Sequence, residues 1–474
     1  MAAAEMSLGI DVGTTSVKVT LMDIEQRKSV FTSKLNHSIE SQINRENVTF
    51  SEQDPFVILR KVDECVALCL RDIDMSMIRC ITSVRVSGQM HGVVLWSDLD
   101  SRFEKRTTAH DFLEFKSIDK EVTFRSNLIT WEDKRCDSEF LRSIPASKSP
   151  LHSGYGCATL FWLNKKDKDT VKSSQYAGSI MDLLVWYICA LKSPIVSDQV
   201  AHSWGYYDHD SMSWQSDLLA SRDFPVSLLP NICMAGTSAG MLAGNWHGIE
   251  VGTDVKVAMG DFQCAVFSSC SDTTTAVMNI GTSSQLAVLL PENADTEEIK
   301  DKYPALQLFP FFNGHQLAVA ASLNGGNVLE VFAITLKSWI HDLGIPEVDL
   351  TSIHKKFKEF CKEGSTYSEC SLTVIPTLHG ERHCPDQKAS VHNIQGDNIS
   401  LRTIVKQLHI GIVQNLFNMM PVECLKHFGT CQIACTGSLF EDNCYLKQAI
   451  ECISGFPCIV KKDADSVFGA ALAK

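Results

Sequence analysis

Several carboxylate, hydroxyl and amide side chains of this chain lie beside glycines at the ends of apolar runs. The first set lies in a tight turn between two runs rich in Val, Ile and Leu, which predicts a β-hairpin over residues 8–23. This set comprises Asp11, Gly13, Thr14, Thr15, Ser16 and Lys18. Hydroxyls and backbone N–H groups in a turn can bind a polyphosphate, a lysine can pair with its oxygens, and a carboxylate suits Mg²⁺ through the waters of the ion. The pattern predicts a phosphate-binding turn, and the alternative is an ordinary hairpin with a polar turn.

A second set lies on the tight connection between two further apolar strands. Gln89, Met90 and His91 are bracketed there by Gly88 and Gly92. Amide and imidazole groups can donate hydrogen bonds to sugar hydroxyls and accept them, and binding groups concentrate on such connections. The alternative for His91 is an imidazole that the backbone satisfies at a strand end.

An aromatic and charged cluster follows a polar stretch of the chain. Trp131 offers an aromatic face, Asp133 offers acceptors and Arg135 offers donors. This mixture suits a polyhydroxylated ligand. The alternative is the start of an amphipathic helix with solvated charges.

Asp261 lies where an apolar strand at 255–259 meets an apolar helix at 262–270. The carboxylate can begin the helix as its cap, or it can act as a general base that faces a cleft. The two roles are compatible, because each can use a different carboxylate oxygen. His91 competes with Asp261 for the role of base.

The second half of the chain repeats the first turn faintly. Gly281, Thr282 and Ser283 again lie between two apolar runs, so we expect one phosphate loop in each half of the chain. A later strand at 433–435 leads to another glycine turn. That turn and the helix after it contain Gly437, Ser438 and Asn443.

Periodicity and capping residues indicate the elements that must position these turns. Asp54 and Pro55 begin a helix whose apolar residues recur through Cys69. We also predict strands at 81–86 and 373–377 and helices at 180–191 and 401–416. Residues 164–172 are predicted as a solvated loop, and residues 97–128 as a long polar insertion that is either disordered or a lid.

Composition excludes several classes of function. The chain has 474 residues, enough for two domains, and its formal net charge of −13 argues against nucleic-acid and anionic-membrane partners. Its 18 cysteines form no C-x-x-C pair, which is typical of reduced thiols and gives no support to a zinc site. We expect no signal peptide, no membrane segment and a cytoplasmic location.

These motifs, in this order and over nearly the whole chain, resemble those of the FGGY carbohydrate kinases. The strings that carry the resemblance are D-x-G-T-T-S-x-K, S-G-Q-M-H-G, W-x-D-x-R-C, G-D-x-Q, N-I-G-T-S, the Gly325-Gly326 helix start, G-E-R and the late glycine turn. The first string also resembles the phosphate loop of the wider superfamily of sugar kinases, heat-shock 70 proteins and actin. The S-G-Q-M-H-G string resembles the members that act on ketoses.

The resemblance implies an α/β fold with two ribonuclease-H-like domains of the actin and hexokinase type, and a cleft for ATP and sugar between them. We expect a sugar-binding N-terminal domain at 1–253 with the first phosphate loop, and a nucleotide-binding C-terminal domain at 254–474 with the base. In this assignment Asp261 is the base and Asp11 lies near Mg²⁺. ATP is bound by Gly13, Thr14, Thr15, Ser16, Lys18, Gly281, Thr282, Ser283, Gly437, Ser438 and Asn443. The sugar is bound by Gln89, Met90, His91, Trp131, Asp133 and Asp261.

The resemblance also implies the reaction, which is phosphorylation of the terminal primary hydroxyl of a ketose by ATP. Sedoheptulose is the first candidate substrate, with a role in the pentose phosphate pathway, and xylulose or ribulose are alternatives. A different class of function remains open, namely an ATPase of the actin or heat-shock 70 type without a sugar substrate. A catalytically weak family member that senses metabolites is a third possibility.

Overall fold

The computed structural model describes residues 5–43, 49–98, 115, 118, 121–149, 151–270, 273–346, 348–362, 370–384, 386–440, 443–461 and 465–473. Contacts divide the chain into two compact units. The first unit comprises Met1–Ser268, Pro310–Gly314 and Asp465–Lys474, and the second comprises Ser269–Phe309 and His315–Ala464. The domain division at residue 253 stays a prediction. In terms of compact units, residues 254–268 lie with the first.

The strands in chain order are β1 (Met6–Val12), β2 (Ser16–Asp23), β3 (Lys28–Asn36), β4 (Gln42–Ile43), β5 (Glu52–Gln53), β6 (Ile81–Gly88), β7 (Val94–Asp98), β8 (Val122–Phe124), β9 (Leu128–Ile129), β10 (Tyr176–Gly178), β11 (Ile195–Ser197), β12 (Tyr207–Asp208), β13 (Ser213–Trp214), β14 (Asn231–Cys233), β15 (Ser238–Met241), β16 (Asp254–Lys256), β17 (Met259–Gly260), β18 (Thr275–Ile280), β19 (Ser284–Leu289), β20 (Gln307–Pro310), β21 (Gln316–Ser322), β22 (Thr373–Ile375), β23 (Ser390–His392), β24 (Gln432–Thr436) and β25 (Cys458–Val460).

The helices in the same order are α1 (Ser38–Ser41), α2 (Pro55–Leu70), α3 (Met75–Ile78), α4 (Ser138–Ser143), α5 (Gly156–Lys166), α6 (Lys168–Ser173), α7 (Ile180–Ile188), α8 (Asp198–Trp204), α9 (Ser216–Ala220), α10 (Asp261–Ser269), α11 (Thr296–Lys302), α12 (Gly326–Asp342), α13 (Leu350–Phe360), α14 (Leu401–Met419), α15 (Val422–His427), α16 (Cys444–Ser454) and α17 (Ser466–Leu472). Within the described ranges, none of these helices has the length and apolar character needed to cross a membrane.

The first unit is built on a mixed sheet in the order β15-β16-β6-β1-β2-β3, with β17 also paired to β6. Strands β1, β2 and β3 are antiparallel neighbours, whereas β6 runs parallel to both β1 and β16. Every residue of β1 is buried, as expected of a strand that is covered on both faces. In register, Val12 pairs with Gly88 and Gly88 pairs with Gly260. The turns after β1, β6 and β17 therefore leave the sheet at one level.

The second unit repeats this arrangement with the sheet order β20-β21-β19-β18-β24-β25. Strands β18, β19 and β21 are antiparallel neighbours, and β24 runs parallel to β18 and β25. Asn279 pairs with Thr436, so the turns after β18 and β24 also leave their sheet together. The faint repeat that the two Gly-Thr turns suggested is thus present as five corresponding strands, β3-β2-β1-β6-β16 in the first sheet and β21-β19-β18-β24-β25 in the second.

Helices cover the first sheet because their apolar or small residues face it. Asp54 begins α2 as predicted, since its carboxylate accepts the N–H groups of Phe56 and Val57. Helix α17 approaches the sheet very closely. A Cβ on Gly9 of β1 would lie 2.6 Å from the carbonyl oxygen of Val467, so only glycine fits there.

Two segments differ from their predictions. The predicted loop at 164–172 is wrong, because Asp167 ends α5 and caps α6, accepting the N–H of Thr170. The predicted insertion at 97–128 contains strand β8, which pairs antiparallel with β7. Residues 99–114, 116–117 and 119–120 of that segment lie outside the described residues.

Asp182 in α7 provides a prediction about stability and pH. Its side chain is fully buried in a capping box with Ser179, and burial raises the pKa of the carboxyl to about 7. Between about pH 4 and pH 7 the folded chain therefore binds a proton here that the unfolded chain does not. This proton binding stabilises the folded chain at low pH, and the stabilisation is lost as pH rises through 7. Asparagine does not titrate, so Asp182→Asn lacks this loss. The free energy of unfolding of the variant, relative to that of the unmodified chain, should therefore be on the order of 2 kcal/mol higher at pH 8 than at pH 5. Urea titrations of both proteins at the two pH values measure this difference, and an equal offset at both would contradict it.

Candidate active site

The turn between β1 and β2 is held from several sides by the first unit. The N–H of Gly13 donates to the carbonyl of Ser16 at 3.0 Å, which closes the turn. Trp131 Nε1 donates to Thr14 Oγ1 at 3.0 Å, and Gln53 Nε2 donates to the Thr14 carbonyl at 2.8 Å. The turn is therefore fixed before any ligand binds. Its next residue, Thr15, is exposed.

Asp11 and Lys18 flank this turn and have partners from the C-terminal end of the chain. Asp11 is buried, and Ser87 Oγ donates to its Oδ1 at 3.1 Å. Burial raises the pKa of Asp11, while the hydrogen bond from Ser466 and the charge of Lys18 oppose that rise. Lys18 Nζ pairs with Asp465 Oδ2 at 3.2 Å, so a phosphate would have to share or replace that partner.

Asp261 is the first residue of α10, directly after β17. Its Oδ1 accepts the N–H of Phe262 at 2.7 Å, which accounts for the role at the start of the helix. The residue keeps some solvent exposure. Its pKa is nevertheless raised to about 7, mainly by desolvation within the surrounding protein and secondly by the negative charge of Asp11. A carboxylate with a pKa near the working pH is well suited to exchange a proton with a substrate.

The turn after β6 lies beside Asp261. A Cβ on Gly260 would lie 2.6 Å from Met90 Sδ, so the residue before the carboxylate packs on this turn. Gln89 is 3% exposed, and its Nε2 donates to Gln53 Oε1 at 3.2 Å. Of the predicted sugar-binding residues, Met90 thus lies against the residue before Asp261, and Gln89 precedes Met90 in the same turn.

His91 has a left-handed backbone conformation with φ +73°. Its Nδ1 lies 2.8 Å from the carbonyl of Ser203, which assigns the proton to Nδ1 and leaves Nε2 as an acceptor. The ring stacks on Tyr155 with centroids 4.2 Å apart. The backbone contact that we considered as the alternative is therefore present.

Asp133 belongs to a buried ion-pair network. Its Oδ1 accepts Arg135 Nε at 2.8 Å, and its Oδ2 accepts the N–H of Ser51 at 2.8 Å. Arg135 Nη2 also donates to Glu52 Oε1 at 2.7 Å. Both oxygens of Asp133 thus have protein donors, whereas the nearby Trp131 contacts the turn between β1 and β2. The alternative that this segment begins a helix is wrong, because the next helix begins at Ser138.

The turn between β18 and β19 in the second unit packs on the start of α12. The N–H of Gly326 donates to the Gly281 carbonyl at 2.7 Å, and the N–H of Asn327 donates to the Thr282 carbonyl at 3.1 Å. A Cβ on Gly325 would lie 2.6 Å from the Ser283 carbonyl oxygen. The Gly325-Gly326 pair is therefore required so that the helix start can approach this loop.

A buried carboxylate that sequence reasoning did not include among the site residues fixes this helix start. Glu381 Oε1 accepts from Ser322 Oγ at 2.6 Å, Asn324 Nδ2 at 2.9 Å and Asn415 Nδ2 at 2.7 Å. Glu381 is 1% exposed, so these bonds are well shielded from water. The G-E-R string was the only signal, and it did not indicate the partners.

The late glycine turn lies at the same end of the second sheet. Gly437 has φ +104°, and a Cβ there would lie 2.3 Å from the Ile280 carbonyl oxygen, beside the turn after β18. Ser438 is exposed. Asn443 caps α16, accepting the N–H of Leu446 at 3.0 Å and donating to the Leu439 carbonyl at 3.1 Å. The structure thus brings Gly437 next to the loop of Gly281, whereas both ends of the Asn443 amide serve the helix cap.

Comparisons with known proteins agree with this arrangement. The family model described as the N-terminal domain of the FGGY family of carbohydrate kinases matches residues 6–112. Human sedoheptulokinase is 38% identical over an alignment of 493 residues that covers 100% of this chain and 98% of the relative. Mouse sedoheptulokinase is 37% identical over 476 residues, with coverage of 100% and 98%.

A solved structure allows the fold to be compared. Xylulose kinase from Rhodospirillum rubrum is similar with a TM-score of 0.79 at 16% identity, and the match covers 99% of this chain and 89% of that chain. This likeness confirms the predicted α/β fold with two domains of the actin and hexokinase type. Together with the full-length identity to the two sedoheptulokinases, it leads to one conclusion: this chain belongs to the FGGY family of carbohydrate kinases.

Proposed function

We propose that this carbohydrate kinase transfers the γ-phosphoryl group of ATP to the terminal primary hydroxyl of a ketose, and that sedoheptulose is its substrate. The observation that carries the proposal is the register of Val12, Gly88 and Gly260, which brings the phosphate turn, the sugar turn and Asp261 to one end of one sheet. The full-length identity to two sedoheptulokinases supports the choice of sugar, ahead of xylulose and ribulose. A role in the pentose phosphate pathway and a cytoplasmic location follow from the same proposal.

Asp261 is proposed as the general base. The terminal hydroxyl of the ketose gives its proton to Asp261 Oδ2, because Oδ1 already accepts the N–H of Phe262. The hydroxyl oxygen then forms a bond to the γ-phosphorus as the bond from that phosphorus to the β-phosphate bridging oxygen breaks, and ADP leaves. A positioned base contributes about 10² to 10⁴ in rate, and positioning of the reactants contributes further.

The surroundings of Asp11 fit a Mg²⁺ ion that arrives with ATP. Among the described residues, no group of three or more His, Cys, Asp or Glu side chains could hold a metal alone. Mg²⁺ commonly needs only one or two carboxylates when phosphates and waters complete its shell, and Asp11 supplies one at the end of β1, beside the first turn. The bound ion would neutralise charge on the β- and γ-phosphates.

The remaining predicted residues are proposed to position the ligands. The two loops that would hold the phosphates comprise Gly13, Thr14, Thr15, Ser16 and Lys18 in the first unit and Gly281, Thr282 and Ser283 in the second. Gly437, Ser438 and Asn443 would contact the adenosine. Gln89, Met90 and His91 would bind the ketose, with Trp131 and Asp133 as further contacts.

Replacing Gly437 tests the adenosine turn. Gly437→Ala is expected to raise the KM for ATP by about tenfold or more, because an alanine at φ +104° is strained and its Cβ would displace the backbone at Ile280. The KM for the sugar should change little. The matched control is Gly455→Ala, which also has positive φ but has nothing within 4 Å of the added Cβ. Equal KM values for ATP in the two variants would contradict the assignment.

A coupled assay of ADP release tests the proposed function. The full chain is given Mg-ATP with sedoheptulose, xylulose, ribulose, glycerol or no sugar. Release that depends on sedoheptulose supports the proposal. Release with xylulose or ribulose instead keeps the kinase and replaces the substrate, whereas equal release without sugar favours an ATPase.

A further inference from the structure

Two side-chain hydrogen bonds join the first phosphate turn to the sugar turn through a single residue. Gln53 Nε2 donates to the Thr14 carbonyl at 2.8 Å, and Gln89 Nε2 donates to Gln53 Oε1 at 3.2 Å. Gln53 and Gln89 are 7% and 3% exposed. Water therefore competes little with these bonds, and bonds in a series within such a site polarise one another.

The direction of both amides is fixed at the Thr14 end. A backbone carbonyl only accepts, so Gln53 must present its NH₂ group to Thr14 and its oxygen to Gln89. Gln89 must then present its NH₂ group to Gln53, and its Oε1 becomes the acceptor at the far end of the series. That oxygen is buried and has no hydrogen-bond partner within the described part of the chain. A ligand that meets Gln89 must therefore bring a donor, such as a hydroxyl group.

The backbone around Gln53 is paired with a neighbouring strand on each side. Strand β5 lies between β4 and β9, where Gln53 pairs with Gln42 on one side and with Leu128 on the other. The neighbouring Glu52 is anchored by Arg135 at 2.7 Å. The Gln53 side chain is thus held in place by a small sheet that is separate from the strands carrying the two turns.

We infer that Gln53 is a positioning residue that couples ketose binding at Gln89 to phosphate binding at the Thr14–Thr15 peptide. The inference rests on the proposed function, because the ketose hydroxyl is the donor that Gln89 Oε1 lacks. A hydroxyl donated to that oxygen strengthens the bond from Gln89 to Gln53 and then the bond from Gln53 to Thr14. The same polarisation makes the N–H of the Thr14–Thr15 peptide a better donor to a phosphate oxygen. Each ligand then tightens the binding of the other by the same factor.

Calorimetry on the full chain measures this factor. The dissociation constant of Mg²⁺ with the non-hydrolysable ATP analogue AMP-PNP is determined with and without saturating sedoheptulose. In the unmodified chain we expect sedoheptulose to tighten binding by about fivefold or more, within the usual range of coupling between sites. Gln53→Met keeps the length of the side chain but removes both hydrogen bonds. We expect this variant to bind each ligand alone and to lose the coupling, so that the ratio of the two dissociation constants approaches one.

Gln42→Met is the matched control, because Gln42 pairs with Gln53 across β4 and β5 but its side chain is exposed. It should keep the coupling of the unmodified chain. If Gln53→Met does not fold, Gln89→Met interrupts the series from the other end and must also lose the coupling at saturating sugar. Full coupling in the Gln53 or Gln89 variant would overturn the inference. If the unmodified chain still releases ADP only with sedoheptulose, the proposed function would stand. Absence of sedoheptulose-dependent release in the unmodified chain would overturn the proposed function and the inference with it.

Discussion

Asp261→Asn is expected to lower kcat by at least about 10³-fold, while binding of ATP stays within a few-fold of the unmodified chain. Asparagine is nearly isosteric and its oxygen can still accept the N–H of Phe262, so α10 should keep its start. What the variant loses is the group that takes the proton of the sugar hydroxyl. Steady-state kinetics with Mg-ATP and sedoheptulose give kcat and both KM values, and calorimetry with AMP-PNP gives nucleotide affinity.

Asp295→Asn is the matched control for this experiment. Asp295 caps α11 by accepting the N–H groups of Glu297 and Glu298, so it shares the helix-start role of Asp261 but lies in the second unit on a different helix. Its variant should leave kcat unchanged. If Asp261→Asn kept kcat within tenfold of the unmodified chain, the carboxylate would not be the base, and His91 would become the candidate.

Arg135→Met is expected to lower the free energy of unfolding by about 3 to 5 kcal/mol. The Arg135 side chain is 3% exposed and pairs with Asp133 at 2.8 Å and with Glu52 at 2.7 Å. Its guanidinium also lies over the rings of Phe50 and Trp162. The methionine would restore some packing on these rings but would leave two buried carboxylates without their cation. Urea titrations of the variant and the unmodified chain measure the loss.

Arg60→Met provides the comparison with an exposed ion pair. Arg60 and Glu64 lie one helical turn apart on α2 and approach to 3.8 Å, with side chains 46% and 44% exposed. Such a pair contributes less than about 1 kcal/mol, so this variant should unfold nearly like the unmodified chain. A loss below about 1 kcal/mol in Arg135→Met as well would show that the buried network is not a major source of stability.

Local patterns in the sequence predict the turns of the site well. The alternation around Gly13 and Gly281 predicts two hairpins, and the structure has them at β1–β2 and β18–β19. The Asp54-Pro55 pair predicts the start of α2 correctly. These features depend on residues within a few positions of one another, so a short stretch of sequence is enough to predict them. The assignment of each side chain to a ligand stays a prediction.

Contacts between distant parts of the chain could not be predicted in this way. Lys18 pairs with Asp465, which is 447 residues away, and Gln53 reaches Thr14 across 39 residues. Asp465 caps α17 by accepting the N–H of Phe468, and nothing local in the sequence indicates which strand that helix packs on. Residues 164–172 show the opposite error, since their high charge suggests a loop although Asp167 caps a short helix that buries Val171.

The most direct test of the proposed reaction is the identity of the phosphorylated product. The full chain is incubated with Mg-ATP and sedoheptulose, and the product is analysed by ¹³C and ³¹P NMR. We predict a single phosphomonoester whose phosphorus couples to C7 and C6 of the sugar, which places the group on the terminal primary hydroxyl. Formation of inorganic phosphate without a sugar phosphate, or a phosphoryl group on another carbon, would contradict the proposed reaction.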